Sequence, residues 1–127
     1  MTLLTCAPEP GALRVALRDL AVASDGKRRR TWAVLGPLPG APREELMDLG
    51  RFLVRLDISA LVVVGEAGPV HAGAVLEGSW GDESRHVETE QQALALLRAE
   101  AGPDDVVLVS GTDSLVSAVR EALGGTA

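Results

Sequence analysis

The sequence predicts an α/β protein: a three-layer, Rossmann-like open sheet, mainly parallel, with helices on both faces. Two observations carry that expectation. Uninterrupted apolar runs, "ALVVVG" at 60–65 and "DVVLVSG" at 105–111, each stop at a glycine, as strands buried on both faces do. Between the runs lie segments whose leucines recur every three or four residues, the spacing of a helix with one apolar face. Strands alternating with helices in this way build parallel βαβ units.

The elements follow in order. The opening "LLTCAPEPG" admits a strand, and 12–23 is helical, with Leu13, Leu17 and Leu20 on one face. "TWAVLG" (31–36) reads as a short strand, followed by the loop "GPLPGAP" (36–42). Residues 43–57 place Leu46, Leu49, Leu53 and Leu56 in one stripe. After the strand at 60–65, "PVHAGAVLEG" is a weak, glycine-interrupted helix and "RHVE" a short strand. Thr89 suits an N-cap for "EQQALALLRAEA", whose Ala93, Leu94, Leu96 and Leu97 form the expected buried face. The strand within 105–111 and a helix over 113–123 complete the chain. Four strands are expected, and the N-terminal segment admits a fifth.

The 127 residues fit a single domain (1–127, core about 5–123) that folds as a monomer or weak dimer. Apolar residues make up 46%, but there are only one Phe, two Trp and no Tyr, so the core is aliphatic and base stacking is nearly excluded. The net charge of −6 argues against nucleic acid and anionic membranes; the run Lys27-Arg28-Arg29-Arg30 reads as a solvated face before a strand. A single Cys6, no secretory leader and no apolar run of membrane length fit a soluble cytoplasmic protein.

Catalytic motifs are missing from the sequence. Gly36-Pro37-Leu38-Pro39-Gly40 does not fit G-x-G-x-x-G, and no G-x-x-x-x-G-K-[ST] occurs. His71 and His86 are fifteen positions apart with no clustered cysteine, so no metal is expected. Cys6 reads as a buried thiol, and Asp82, Glu83, Glu88 and Glu90 as a solvated loop. No catalytic residue is assigned. The remaining candidates are ligand-binding: Gly36, and Ser110, Gly111 and Thr112 in the loop that opens the last helix. Free amides there attract an anion, whereas Thr112 or Asp113 can instead serve as an ordinary N-cap.

Taken together, "EPGALRVALRDLA", "RRTWAVLG", "REELMDLGRFLVRLDISALVVVGE" and "HVETEQQALALLRAEAGPDDVVLVSGTDSL" resemble the C-terminal domain of the Mur ligases. Within that family they are most similar to the branch that adds D-alanyl-D-alanine to a muramoyl tripeptide. The resemblance implies a domain of an ATP-dependent, amide-bond-forming ligase of peptidoglycan precursor synthesis. ATP and magnesium would be held by a central domain with no counterpart in these residues, so no cofactor is expected on this chain. The partner implied is that central domain or another protein.

The sequence departs from the family at ligand-facing positions. Pro37 stands where the family has Asp, Glu9 where it has Asn, Ser110 for Lys, Thr112 for Ser and Asp113 for Arg. Each lost charged contact removes roughly 1.5–3 kcal/mol of charge-assisted hydrogen bonding. Two functions therefore stand: a ligase domain inactive by itself, or a stand-alone, non-catalytic module that binds a protein partner or a small ligand.

Overall fold

The structure, a computed structural model, describes residues 1–78 and 83–124. Five strands, β1 (Thr2–Cys6), β2 (Thr31–Leu35), β3 (Ala60–Val64), β4 (Ser84–Val87) and β5 (Val106–Ser110), form one sheet in the order β1-β5-β2-β3-β4. Every neighbouring pair is parallel. The helices are α1 (Pro10–Ala23), α2 (Arg43–Arg55), α3 (Gly68–Glu77), α4 (Glu90–Glu100) and α5 (Asp113–Gly124). The N-terminal segment does form the fifth strand. None of the described helices is long and apolar enough to cross a membrane.

The alternation of side chains along each strand sorts the core into two layers. Ala33, Leu35, Leu61, Val63 and Leu108 face the leucines of α1 and α2 together with Val70 and Ala74 of α3. Trp32, Val34, Val62, Val107 and Val109 face Ala93 and Leu97 of α4 and Leu115 and Val119 of α5. Helices α1 to α3 thus cover the front, α4 and α5 the back. Of the four residues expected to form the buried face of α4, only Ala93 and Leu97 are fully covered. Leu94 and Leu96 are half-buried at its margin.

Local chemistry sets the helix ends. Pro10 opens α1, where a missing N–H costs nothing. Thr89 caps α4 in a reciprocal box with Gln92, as its sequence context predicted. Gly73, which weakens α3 on paper, has a packing role: a Cβ there would overlap the Met47 carbonyl oxygen, as one at Gly50 of α2 would overlap the Val70 carbonyl oxygen. Helices α2 and α3 therefore touch backbone to backbone.

At the N-terminal end of the sheet, Trp32 Nε1 donates to Asp105 Oδ2 at 2.9 Å, and Gly102 N donates to the same oxygen at 2.8 Å. This satisfies a buried carboxylate. The basic run closes the same end. Arg29 donates to Asp104 O at 2.8 Å and to Thr2 Oγ1 at 2.7 Å, and the Arg30 guanidinium lies 5.0 Å from the Trp32 ring centroid. Lys27 pairs with Asp57. Lys27, Arg28 and Arg30 are exposed, as expected of a solvated run, but Arg29 is half-buried, and the run also ties the sheet to its flanking loops.

Candidate functional site

Strand β5 lies between β1 and β2, yet its chain leaves toward the back into α5 while theirs leave toward the front into α1 and α2. Such a reversal at the carboxyl ends of the strands is where open α/β sheets hold ligands. Three of the four expected site residues meet here. Gly36 N donates to Ser110 O at 2.7 Å. A Cβ at Gly36 would stand 2.9 Å from Leu115 Cδ2 and 3.3 Å from Gly111 Cα. The floor of the crevice is thus two glycine backbones in contact.

Ser110 is 1% exposed, and its hydroxyl donates to Ala7 O at 3.1 Å. It fastens the exit of β1 rather than facing solvent. Beside it the half-buried Cys6 thiol is pushed above its ordinary pKa by burial, partly offset by a hydrogen bond with Ser110 and reinforced by the charge of Glu9. A thiol held in its neutral form is a poor nucleophile. Thr112 Oγ1 accepts from Leu115 N at 3.2 Å, which makes Thr112 the cap of α5.

The helix starts around the crevice already carry carboxylates. Glu44 and Glu45 sit in the first turn of α2, Glu90 in that of α4 and Asp113 in that of α5. Ser114 Oγ donates to the Glu90 carboxylate at 2.8 and 3.1 Å. These built-in negative charges complement the helix dipoles and oppose an incoming anion. The loop after β2 is stiff, since Leu38 is buried in the front core and Ala41 N donates to Leu38 O at 3.2 Å. Pro37 and Pro39 offer no amide to a ligand.

A second concavity escaped sequence reasoning. An open groove of about 1000 Å³ runs along β4 between α3 and α4, lined by His71, Val75, Ser84, His86, Val87 and Leu96 among others. His71 Nδ1 lies 2.6 Å from Ser84 Oγ, and His86 Nε2 donates to Gly65 O at 2.7 Å. The two rings are 6.2 Å apart. Positions 71 and 84 share no sequence period, so only the fold brings them together. Among the described residues no three His, Cys, Asp or Glu side chains gather as a metal site. Of the acidic loop residues singled out above, Glu83 and Glu88 are exposed and Asp82 lies outside the described residues.

Burial first, and the nearby His86 second, hold His71 below the usual histidine pKa. The unfolded chain then binds the proton more readily than the folded one, so this contribution to stability is present above about pH 6.5 and is lost as pH falls through the folded-state value. Urea midpoints measured between pH 7.5 and 5.5 should fall, and His71→Gln should flatten that slope. The Arg85–Glu100 pair holds Glu100 below the ordinary carboxylate range, so its loss falls in a separate, more acidic window. An unchanged slope in His71→Gln would discount the histidine.

The family model described as "Mur ligase, glutamate ligase domain" matches residues 2–112. The chain belongs to the Mur ligase family. It is 40% identical over 133 residues to the UDP-N-acetylmuramoyl-tripeptide–D-alanyl-D-alanine ligase of Mycobacterium leprae, covering 91% of this chain and 26% of that protein. The ligase of the same name from Mycobacterium tuberculosis strain H37Rv is 40% identical over 134 residues, with 90% and 26% covered. This Mur ligase chain thus spans about a quarter of the length of these relatives.

Among solved structures, a crystal structure of MurF from Acinetobacter baumannii superimposes with a TM-score of 0.68 at 21% identity, over 92% of this chain and 27% of that one. A domain from a putative UDP-N-acetylmuramate:L-alanyl-gamma-D-glutamyl-meso-diaminopimelate ligase of Haemophilus ducreyi gives 0.56 at 15% identity, over 90% and 84%. At those identities the likeness is one of fold.

Proposed function

We propose that this chain serves as the C-terminal domain of a ligase that joins D-alanyl-D-alanine to a muramoyl tripeptide, working with an ATP-binding central domain and catalytically silent without it. The observation that carries the reading is 40% identity along nine-tenths of the chain to ligases of that name. The domain's part is to close over the acyl-phosphate formed on the central domain and to help place the incoming amine. Silence in isolation is supported by the missing glycine-rich phosphate loop and the inward-turned Ser110. The carboxylates at the helix starts add to it.

A chimera tests this, with the chain replacing the C-terminal domain of the Mycobacterium leprae relative. Phosphate release that depends on D-alanyl-D-alanine is expected from the chimera, and none above a no-enzyme control from the chain alone. A folded but inert chimera would favour the second reading, a stand-alone binding module. That reading draws on the internally satisfied loop at Ser110–Thr112. Phosphate release by the isolated chain would overturn the silence.

A further inference from the structure

The face formed by α1 and α2 carries cations that the described chain leaves unmatched. Arg14 and Arg18, one turn apart on α1, both stack on Phe52 of α2, with guanidinium carbons 5.0 and 5.4 Å from the ring centroid. Phe52 is the chain's one phenylalanine and is half-buried. Lys27, Arg28, Arg51, Arg55 and Arg85 each have a carboxylate partner; among the described residues Arg14 and Arg18 have none.

The same helix exposes Val15 by 60% and Val22 by 81%. Seven residues make nearly two helical turns, about 10.5 Å of rise. The two valines therefore bracket a ridge on the side of α1 opposite the buried Leu13, Leu17 and Leu20, with the exposed Asp19 one turn from each. Arg14 and Arg18 flank that ridge on the side of Phe52.

We propose that this face docks an acidic amphipathic helix of a partner protein. Three features select that occupant. Carboxylates one turn apart on a helix repeat at the spacing of Arg14 and Arg18, about 5–6 Å. Apolar residues two turns apart match Val15 and Val22. Charge selects the sign: along this face Arg14 and Arg18 outweigh the single Asp19, so on a protein of net charge −6 the face is locally cationic and complements an acidic surface. Stacking on Phe52 holds the guanidinium planes in place while their N–H edges stay open to carboxylates, so less freedom is lost on binding. The inference rests on the α1–α2 geometry and is independent of the ligase reading.

The probe is a synthetic amphipathic helix with leucines on one face and glutamates one turn apart along its border, beside a counterpart carrying lysine for glutamate. In an NMR titration of the full chain, the glutamate peptide should bind and shift Val15, Val22, Phe52 and the Nε–H signals of Arg14 and Arg18. The lysine peptide should not. Arg14→Glu with Arg18→Glu should weaken binding about tenfold or more, a change of ~1.4 kcal/mol or more. Val22→Asp should weaken it as well, whereas Arg98→Glu with Arg120→Glu, of equal charge change to the double variant but on the back helices, should not. Thermal melts establish that each variant is folded. The proposal is overturned if neither peptide binds, if both bind alike, or if a folded double variant binds as the original does. It also fails if sedimentation shows a dimer that Val22→Asp dissociates, since a second copy of the chain then covers α1.

Discussion

Replacing Gly50 with valine should leave the domain largely unfolded. The Cβ of any larger residue there would overlap the Val70 carbonyl oxygen and stand 2.7 Å from Ala74 N. Gly73 mirrors this against Met47. The opposing atoms are backbone, so no side chain can swing aside. The remedy is to part α2 from α3, and that withdraws Leu46, Leu49 and Leu53 from the front core. Overpacking alone costs about 1–3 kcal/mol, and uncovering even part of several leucines adds about 1.5–3 kcal/mol for each one fully exposed. Together these rival the ~5–15 kcal/mol that holds an ordinary domain.

The sharper contrast is with alanine. In an exposed helix Gly→Ala gains about 1 kcal/mol, yet Gly50→Ala, which brings the same Cβ without the two further methyls of valine, should lose at least about 2 kcal/mol by the overpacking argument. Gly11→Ala, in the first turn of α1 with only Glu9 Oε1 at 3.9 Å, should gain ~0.4–1 kcal/mol. Urea titrations of the three variants suffice. A Gly50→Val protein with the original midpoint would refute the backbone contact.

That contact also explains what the sequence hid. Strands β3 and β5 were legible because residues buried on both faces need no polar alternation, and α2 because its leucines keep helical spacing. Helix α3 looked weak because glycine and alanine in "PVHAGAVLEG" lower intrinsic propensity. The close crossing with α2 needs those small residues, so tertiary packing overrode propensity. Strand β1 sits at the sheet edge with two of its five residues exposed and none fully buried, which leaves no continuous apolar run to detect. Leu94 and Leu96 share the helical face of Ala93 and Leu97 in spacing, but α4 reaches past the sheet edge, where Leu96 lines the β4 groove.

The candidate site was legible as loops and illegible as a place. Nothing in the order of elements says that the chain returns from β4 past β3 and β2 so that β5 inserts between β2 and β1. Only that insertion puts Gly111 against Gly36. The run Arg28-Arg29-Arg30 was legible as charge, but its contacts with Asp104 and Thr2 depend on sheet order too.

Gly111→Val is therefore the decisive change at the site, and it should destabilise the domain by about 2–3 kcal/mol through overpacking. A Cβ there would lie 3.0 Å from Gly36 Cα, 3.2 Å from Gly36 N and 2.9 Å from Leu115 Cδ2. The leucine end can yield, but the Gly36 backbone cannot move without loosening its 2.7 Å bond to Ser110 O. Thr112→Ala, which removes only the α5 cap, should cost about 1 kcal/mol and leave the crevice closed. Restoring the family's positive charge meets the same geometry: a lysine at 110 would have to place its ammonium where Ser110 is 1% exposed and bonded to Ala7 O. Burying that charge without a partner costs several kcal/mol. Asp113, exposed in the first turn of α5, tolerates Arg and is where added phosphate affinity should arise, falling with salt. If Gly111→Val matched the unaltered chain in urea while Thr112→Ala did not, the crevice floor would be looser than the contact of Gly36 and Gly111 requires.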